Sequence, residues 1–230
     1  MAKHSATLLS LLLWLWSATE LTAQQQWDET KYREIEQSIQ QPELKTREFV
    51  VTKMGAVSTP TEDSDEVDGV TAASMPAQPT VAARNQKAIQ KAIDKCTKAG
   101  GGRVVVPRGQ HILTGAITLK SGVNLVIEEG AVLQFAFQPE LYPARETSWE
   151  GLDCYNLSPC IYALRANDIA ITGSGTIDGG GTRQTWWPWC GAAKYGWQEG
   201  TPSQKLGART RLLQNGEDGV PLTDGKGKPT

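Results

Sequence analysis

The apolar positions of this chain change period once. From Asn85 to Ala99, the residues Ala88, Ile89, Ala92, Ile93, Cys96 and Ala99 recur on one helical stripe, with Lys87, Lys91, Lys95 and Lys98 lying off it. Gly100-Gly101-Gly102 then ends the helix, as glycine does at helix C-termini. Beyond the glycines the pattern is that of short strands: Val104–Val106, Ile112-Leu113, Ile117–Leu119, Leu125–Ile127 and Val132-Leu133. Pro107, Gly109, Gly115, Ser121-Gly122 and Glu129-Gly130 separate them, and no helical pattern intervenes. Earlier in the chain, Trp27–Ile39 reads as a short helix with Trp27, Ile35 and Ile39 on related faces.

A second strand passage resembles the first. Leu125–Ile127 with Val132-Leu133 aligns on Ile169–Ile171 with Thr176-Ile177 at an offset of 44 positions, which halved gives about 22 residues per coil. Strands recurring at that interval predict an all-β solenoid, a parallel β-helix in which each coil buries the face its neighbour exposes. The Asn85–Ala99 helix then covers the open first coil, since a bare β edge invites association. A β-sandwich is the competing architecture.

The first 23 residues read as an address rather than as part of the fold. Lys3 and His4 open a Leu- and Trp-rich run from Ala6 to Ala18, and Leu21-Thr22-Ala23 offers a small residue at the cut. That run is shorter than the ~20 residues that cross a bilayer as a helix, so a cleaved export signal is expected and no membrane span. An uncleaved anchor is the rival, set aside because Glu20 closes the run early. The expected organisation is signal peptide 1–23, lead-in 24–80 with an acidic linker over Thr59–Gly69 and prolines at 76 and 79, β-helix 81–215, and a flexible tail 216–230.

The chain has 230 residues, and 23 Lys+Arg against 25 Asp+Glu leave a net charge of −2, which removes the electrostatic case for a nucleic-acid partner. Cys96, Cys154, Cys160 and Cys190 allow three complete pairings, among which the sequence does not choose; free buried thiols, or one Cys154–Cys160 bridge, are the simpler readings. No Cys-x-x-Cys occurs, and after signal removal His111 is the one histidine left, so no metal site and no cofactor are expected. The acidic Thr59–Gly69 stretch lacks the alternation and closing Glu of a calcium loop.

Gly173-Ser174-Gly175-Thr176-Ile177-Asp178-Gly179 misses the dinucleotide fingerprint by one residue and reads as a tight turn between coils. Gly219…Gly225-Lys226 has one residue too many for a phosphate loop. His111, inside an apparent strand, reads as a strand-surface residue, which disfavours a Ser-His-Asp site. Asn156-Leu157-Ser158 is formally a glycosylation acceptor, weakened by Pro159.

The aromatic residues point towards sugar. Trp149, Tyr155, Trp186 and Trp187, with Asp153, are the candidate substrate-binding residues: aromatic faces suit the apolar faces of sugar rings and acids bind hydroxyls. The competing reading is that each packs a loop against the coils. Glu150, Asp153, Asp168 and Asp178 are the candidate acid–base carboxylates, of which Asp168 and Asp178 look structural from their turn positions.

Several segments carry a resemblance. Asn85–Asp94 followed by Gly100–Gly109, with Leu119–Leu125 and Glu128–Leu133, resembles the opening of pectin-degrading β-helix enzymes. Ile169–Gly179 followed by Trp186-Trp187 is similar to glycoside hydrolase family 28, the polygalacturonase family, as are Trp149-Glu150-Gly151, Tyr155–Pro159 and Ile161–Ala163. The resemblance implies a right-handed parallel β-helix that hydrolyses α-linked galacturonate, or a related pectic backbone, with inversion. One carboxylic acid protonates the leaving oxygen and a second carboxylate activates water.

In that family the machinery lies in Asn-Thr-Asp, Asp-Asp, Gly-His-Gly and Arg-Ile-Lys motifs, and none of the four occurs here. No catalytic residue is therefore assigned. The expectation is the front portion of an exported, monomeric hydrolase, truncated before its catalytic coils, inactive by itself, and partnered by pectic polysaccharide or oligogalacturonide. A non-catalytic pectin-binding module and a β-helix lyase are the alternatives.

Overall fold

The computed structural model describes residues 29–40, 42–59, 78–201, 203–204 and 207–223. The proposed signal Met1–Ala23, Trp27, the acidic stretch from position 60 onward, Pro76 and the last seven residues lie outside them. The chain divides into two units at Glu43/Leu44. In the first, residues 29–38 form helix α1, laced by Arg33–Glu29 at 3.1 Å and Lys31–Glu34 at 3.4 Å, with Tyr32, Ile35 and Ile39 exposed.

The second unit is built from short strands stacked in parallel. β1 (Glu48–Val50), β2 (Gly102–Val106), β5 (Val123–Ile127) and β10 (Ala170–Gly173) form one sheet in the order β1-β2-β5-β10. β3 (His111–Thr114), β6 (Val132–Phe135) and β11 (Thr176–Asp178) form a second, and β4 (Ile117–Thr118) pairs with β9 (Ile161–Tyr162) in a third. Every one of these pairings is parallel. The chain thus returns to each sheet after visiting the others, and like side chains stack coil on coil. Val104, Leu125 and Ile171 are in register in the first sheet, as are Ile112, Leu133 and Ile177 in the second. The core between the sheets holds Val104, Val106, Ile112, Ile117, Val123, Leu125, Ile127, Leu133 and Phe135, each essentially sealed from solvent. Burying one such aliphatic side chain contributes about 1.5–3 kcal/mol.

Helix α2 runs from Gln78 to Lys98, seven residues further towards the N-terminus than its apolar stripe predicts. Pro79, expected in a linker, sits in its first turn, where a missing N–H costs no helical hydrogen bond. The stripe itself is as expected: Ala88, Ile89, Ala92, Ile93 and Cys96 join the coil core, while Lys87, Lys91, Lys95 and Lys98 face solvent. Three amide side chains on α2 serve the backbone groups of the first coil. Asn85, fully buried, donates to the carbonyls of Val57 (3.0 Å) and Leu113 (2.9 Å) and accepts from the Val57 N–H (2.8 Å). Gln86 donates to the Ala116 and Leu141 carbonyls, and Gln90 exchanges both bonds with the backbone of Thr118.

The lead-in expected over 24–80 is partly folded structure. Glu48–Val50 forms the outermost strand of the first sheet, Val51 is sealed in the core, and Asn85 fastens Val57 to α2. This assignment needed the tertiary partner, because three residues of Glu-Phe-Val carry no period of their own.

The repeat length is also corrected. The step from β2 to β5 is 21 residues, Gly102 to Val123, so one coil is already that short. The 44-residue offset between β6 and β11 (Val132 to Thr176) is therefore a single, enlarged coil and not two. In the first sheet Leu125 faces Ile171 rather than the Ile169 of the sequence alignment. What enlarges the coil is an antiparallel hairpin, β7 (Ala144–Trp149) and β8 (Leu152–Leu157), that the strand pattern did not single out. Helix α3 (Ala208–Glu217) is likewise new, crossing the boundary set at 216 for the tail.

Candidate functional site

The hairpin turns at Glu150-Gly151, both with positive φ (50° and 86°), between the facing pair Trp149 and Leu152. Two such residues match the right-handed twist of the strands they join. The turn is braced by α3: Arg209 holds Glu150 through Nη2–Oε2 at 2.7 Å and Nε–Oε1 at 3.4 Å. Glu150, a candidate acid, is thus the anchor of a turn.

Strand alternation separates the predicted sugar-binding residues. On one face of the hairpin lie Trp149, Thr147, Arg145, Leu152 and buried Cys154; on the other lie Ser148, Glu146, Asp153 and Tyr155. Trp149 therefore points to the inner side, with its Nε1 buried and unpaired, while Asp153 lies exposed opposite Ser148 and Tyr155 is half-buried beside it. Asp153 and Tyr155 share a face; Trp149 does not share it.

Trp186 and Trp187 belong to a second cluster, in the loop after β11. Thr182 and Thr185 close this loop through their hydroxyls (3.0 Å), a Thr182 N–H to Thr185 Oγ1 bond (2.9 Å) and a Trp187 N–H to Thr182 carbonyl bond (3.0 Å). Trp189 meets Phe137 edge-on at 5.8 Å, which ties the loop to the segment just after β6. Trp186 stacks on Trp189 at 6.1 Å and remains 51% exposed. Trp187, 39% exposed, meets Tyr195 at 6.4 Å and carries the Arg183 guanidinium 5.0 Å above its ring. Lys194 lies 4.7 Å from the Tyr195 ring. Among the described residues, no hydrogen bond or ring contact joins this cluster to Asp153, Tyr155 or Trp149. Within the loop Trp189 packs against Phe137, while Trp186 and Trp187 leave their rings partly exposed. Phe137 and Tyr195, and the cations Arg183 and Lys194, were missed as members; the Trp186–Trp189 run after the glycine turn was the available signal for the loop.

The remaining carboxylate candidates are engaged in the fold. Across the second sheet a polar ladder runs from Thr59 Oγ1 to His111 Nδ1 (3.2 Å), from His111 Nε2 to Gln134 Oε1 (3.1 Å) and from Gln134 Nε2 to Asp178 Oδ2 (2.9 Å). Asp178 Oδ1 accepts the Gly180 N–H at 2.8 Å. His111 is thus a strand-surface residue bonded to its coil neighbours. Asp168, at φ 54°, makes the left-handed turn before β10, a conformation Asp tolerates better than most residues. Among the described residues no cluster of His, Cys, Asp and Glu is suited to a metal ion.

All four cysteines are free thiols. Burial pushes the Cys96, Cys154 and Cys160 thiols up, with the charge of Asp153 adding to the effect at Cys154 and a hydrogen bond to Tyr142 offsetting part of it at Cys160. Burial, and then Cys160, push the Tyr142 phenol above its ordinary range. These are inert groups of the interior rather than nucleophiles.

No family model matches the chain. It is 31% identical over 167 residues to a polygalacturonase of Ralstonia solanacearum, covering 65% of this chain and 30% of the relative. It is 29% identical over 119 residues to an endo-polygalacturonase of Pectobacterium carotovorum subsp. carotovorum, covering 46% of this chain and 28% of the relative. Among solved structures, a hyperthermoactive exopolygalacturonase from Thermotoga maritima superposes with a TM-score of 0.67 at 32% identity, over 86% of this chain and 40% of that one. The chain spans about 30% of the length of the curated relatives it matches.

Proposed function

From the premise that this chain is a member of a polygalacturonase-like family, we propose that it is the N-terminal portion of an exported hydrolase of pectic polysaccharide. The reaction is cleavage of α-linked galacturonate, or a related backbone, with inversion, by a pair of carboxylates carried outside these 230 residues. The observation that carries the reading is the alignment with polygalacturonases over one part of their length.

Its supports are physical. Leu125 and Leu133 are fully buried, yet Ile171 and Ile177, in register with them one coil later, are 47% and 42% exposed. β9, β10 and β11 are each the outer strand of their sheets. Apolar side chains at core positions on unpaired edges are the seat of a further coil, whose stacking removes both from water. In this reading the coils wind as a right-handed β-helix, α2 is the cap of the first coil, and Met1–Ala23 is the cleaved signal. Pectic polymer is the partner, and the whole enzyme is a monomer. The described helices include none long and apolar enough to cross a membrane.

Two assays test it. Purified 230-residue protein is expected to release no reducing ends from polygalacturonate; release would overturn the placement of the acids. The coding frame read past the codon for Thr230 is expected to continue into an Asp-Asp pair and a Gly-His-Gly. The protein of that frame should release reducing ends whose first-formed anomer is inverted. A continued frame without such activity would overturn the hydrolase assignment. The exposure of Trp186 and Trp187 favours one second reading, a pectin-binding module without catalysis. A stop at position 231 together with tryptophan fluorescence that responds to oligogalacturonide would support that module instead.

A further inference from the structure

Two cations in the aromatic loop have no assigned role. Arg183 lies over the Trp187 ring at 5.0 Å and Lys194 lies over the Tyr195 ring at 4.7 Å, while the two rings touch edge to face at 6.4 Å. Guanidinium, indole, phenol and ammonium thus make one continuous exposed strip. Among the described residues neither cation forms a salt bridge, although Arg103, Arg108, Lys120 and Arg209 each find a carboxylate within 2.9 Å. The strip therefore carries two positive charges, unneutralised, on a chain whose net charge is −2.

Neither cation is held by a carboxylate among the described residues, so the donors of both remain available. A guanidinium carries five N–H donors in a planar fork, which can grip a carboxylate with two parallel bonds while cation–π attraction keeps it near the indole. The ammonium of Lys194 acts as a point charge in any direction. Beside the strip, Trp186 presents a half-open indole propped from behind by Trp189, itself held by Phe137. Apolar platform and free cations together match one ligand chemistry: a sugar ring with an apolar face and a carboxylate on its rim.

We propose that Arg183 and Lys194, carried on Trp187 and Tyr195, form a carboxylate-reading subsite for a uronic-acid oligosaccharide that stacks on Trp186. The assignment of the sugar as galacturonate rests on the function proposed above; the preference for an acidic over a neutral sugar rests on the strip alone. Arg183 fixes orientation through bidentate contact, and Lys194 adds attraction that weakens with salt.

The test is calorimetric titration of the 230-residue chain with four probes: trigalacturonate, its methyl ester, neutral galactotriose, and triguluronate as a second acidic trisaccharide. Trigalacturonate is expected to bind best. Arg183→Gln should weaken it roughly tenfold and Lys194→Gln roughly threefold, with the methyl ester and galactotriose unaffected. Both variants should melt with the parent, since the side chains are exposed. Equal affinity of Arg183→Gln and parent for trigalacturonate would overturn the subsite, as would equal losses for acidic and neutral probes, which would leave stacking alone. If triguluronate binds in an Arg183-dependent way and trigalacturonate does not, the subsite stands and the pectic assignment falls. If no uronate binds, the subsite falls, while the hydrolase assignment still answers to the reducing-end assay of the extended frame.

Discussion

Replacing Asn85 by alanine tests how the first coil is closed. The side chain is completely buried in α2 and makes three hydrogen bonds, two to carbonyls (Val57 and Leu113) and one from the Val57 N–H. Each is a neutral bond whose net worth is about 1 kcal/mol, and each lost partner leaves a backbone group beneath the helix without water to replace it. The sum is about 3–5 kcal/mol. For a unit of this size, where 1 kcal/mol moves the midpoint by about 2–4 °C, Asn85→Ala should lower Tm by roughly 6–20 °C. Asn85→Leu should do no better, because it restores volume and none of the bonds. The assay is thermal melting followed by circular dichroism, with Lys87→Ala on the wet face of the same helix as a control expected within about 0.5 kcal/mol of the parent. Amide exchange adds a local reading: the Val57 N–H should lose protection in Asn85→Ala. A melt within about 2 °C of the parent, with Val57 still protected, would refute the reasoning.

Two further outcomes follow from the same structure. Gly173 has φ +108° at the end of β10, and a Cβ there would collide with the Ile127 carbonyl, so Gly173→Ala must push β10 off β5; urea melts should show a loss above about 3 kcal/mol, and a loss below about 1 kcal/mol would refute the register. At Asp94, burial raises the carboxyl pKa, but hydrogen bonds from Lys120 (2.6 Å) and Gln90 (3.2 Å) and the charge of Lys120 outweigh it and hold the group below its ordinary value. A depressed carboxylate stabilises above its unfolded pKa, and that contribution is lost as pH falls through the folded value. Discounted for two side chains about half exposed, it is about 0.2–1 kcal/mol. Asp94→Asn should therefore be slightly less stable than the parent at pH 7 and indistinguishable near pH 2; a difference that grows on acidification would contradict the sign.

How much was legible depended on where the causes lie. The core strands from Val104 to Leu133 were readable because each is a short apolar run ended by Pro, Gly or Ser-Gly, and the α2 stripe was readable because its apolar positions keep a 3.6 period over three turns. The Gly173–Gly179 stretch, read as a tight turn between coils, turns only at Ser174-Gly175, because Gly173 ends β10 and Thr176–Asp178 form β11 of the same coil. The hairpin β7–β8 was not legible, because its inner face mixes Arg145, Thr147 and Trp149, so alternation carries no hydrophobic signal. Glu150 was read as a candidate acid, and nothing local said that it turns a hairpin.

The candidate site divides the same way. Sequence alone picked out Trp186 and Trp187, since a run of indoles after a glycine turn has few uses other than packing or presentation. It could not decide between the two, because that depends on which ring finds a partner elsewhere in the chain: Trp189 finds Phe137, and Trp186 is left stacked and half open. Nor could it know that Trp149 and Asp153 part company, which follows from a two-residue turn setting the pairing parity of the strands. The sequence by itself determined the α2 stripe, the apolar core strands from Val104 to Leu133 and the family resemblance, all of which rest on neighbours within a few positions. The tertiary structure decided which residues share a face, that one coil is enlarged by a hairpin, and that Ile171 and Ile177 stand open. The first two are set by cross-strand pairing within the hairpin, where alternation carries no hydrophobic signal, and the last by coil-to-coil contacts more than 40 positions apart, where no local period reaches.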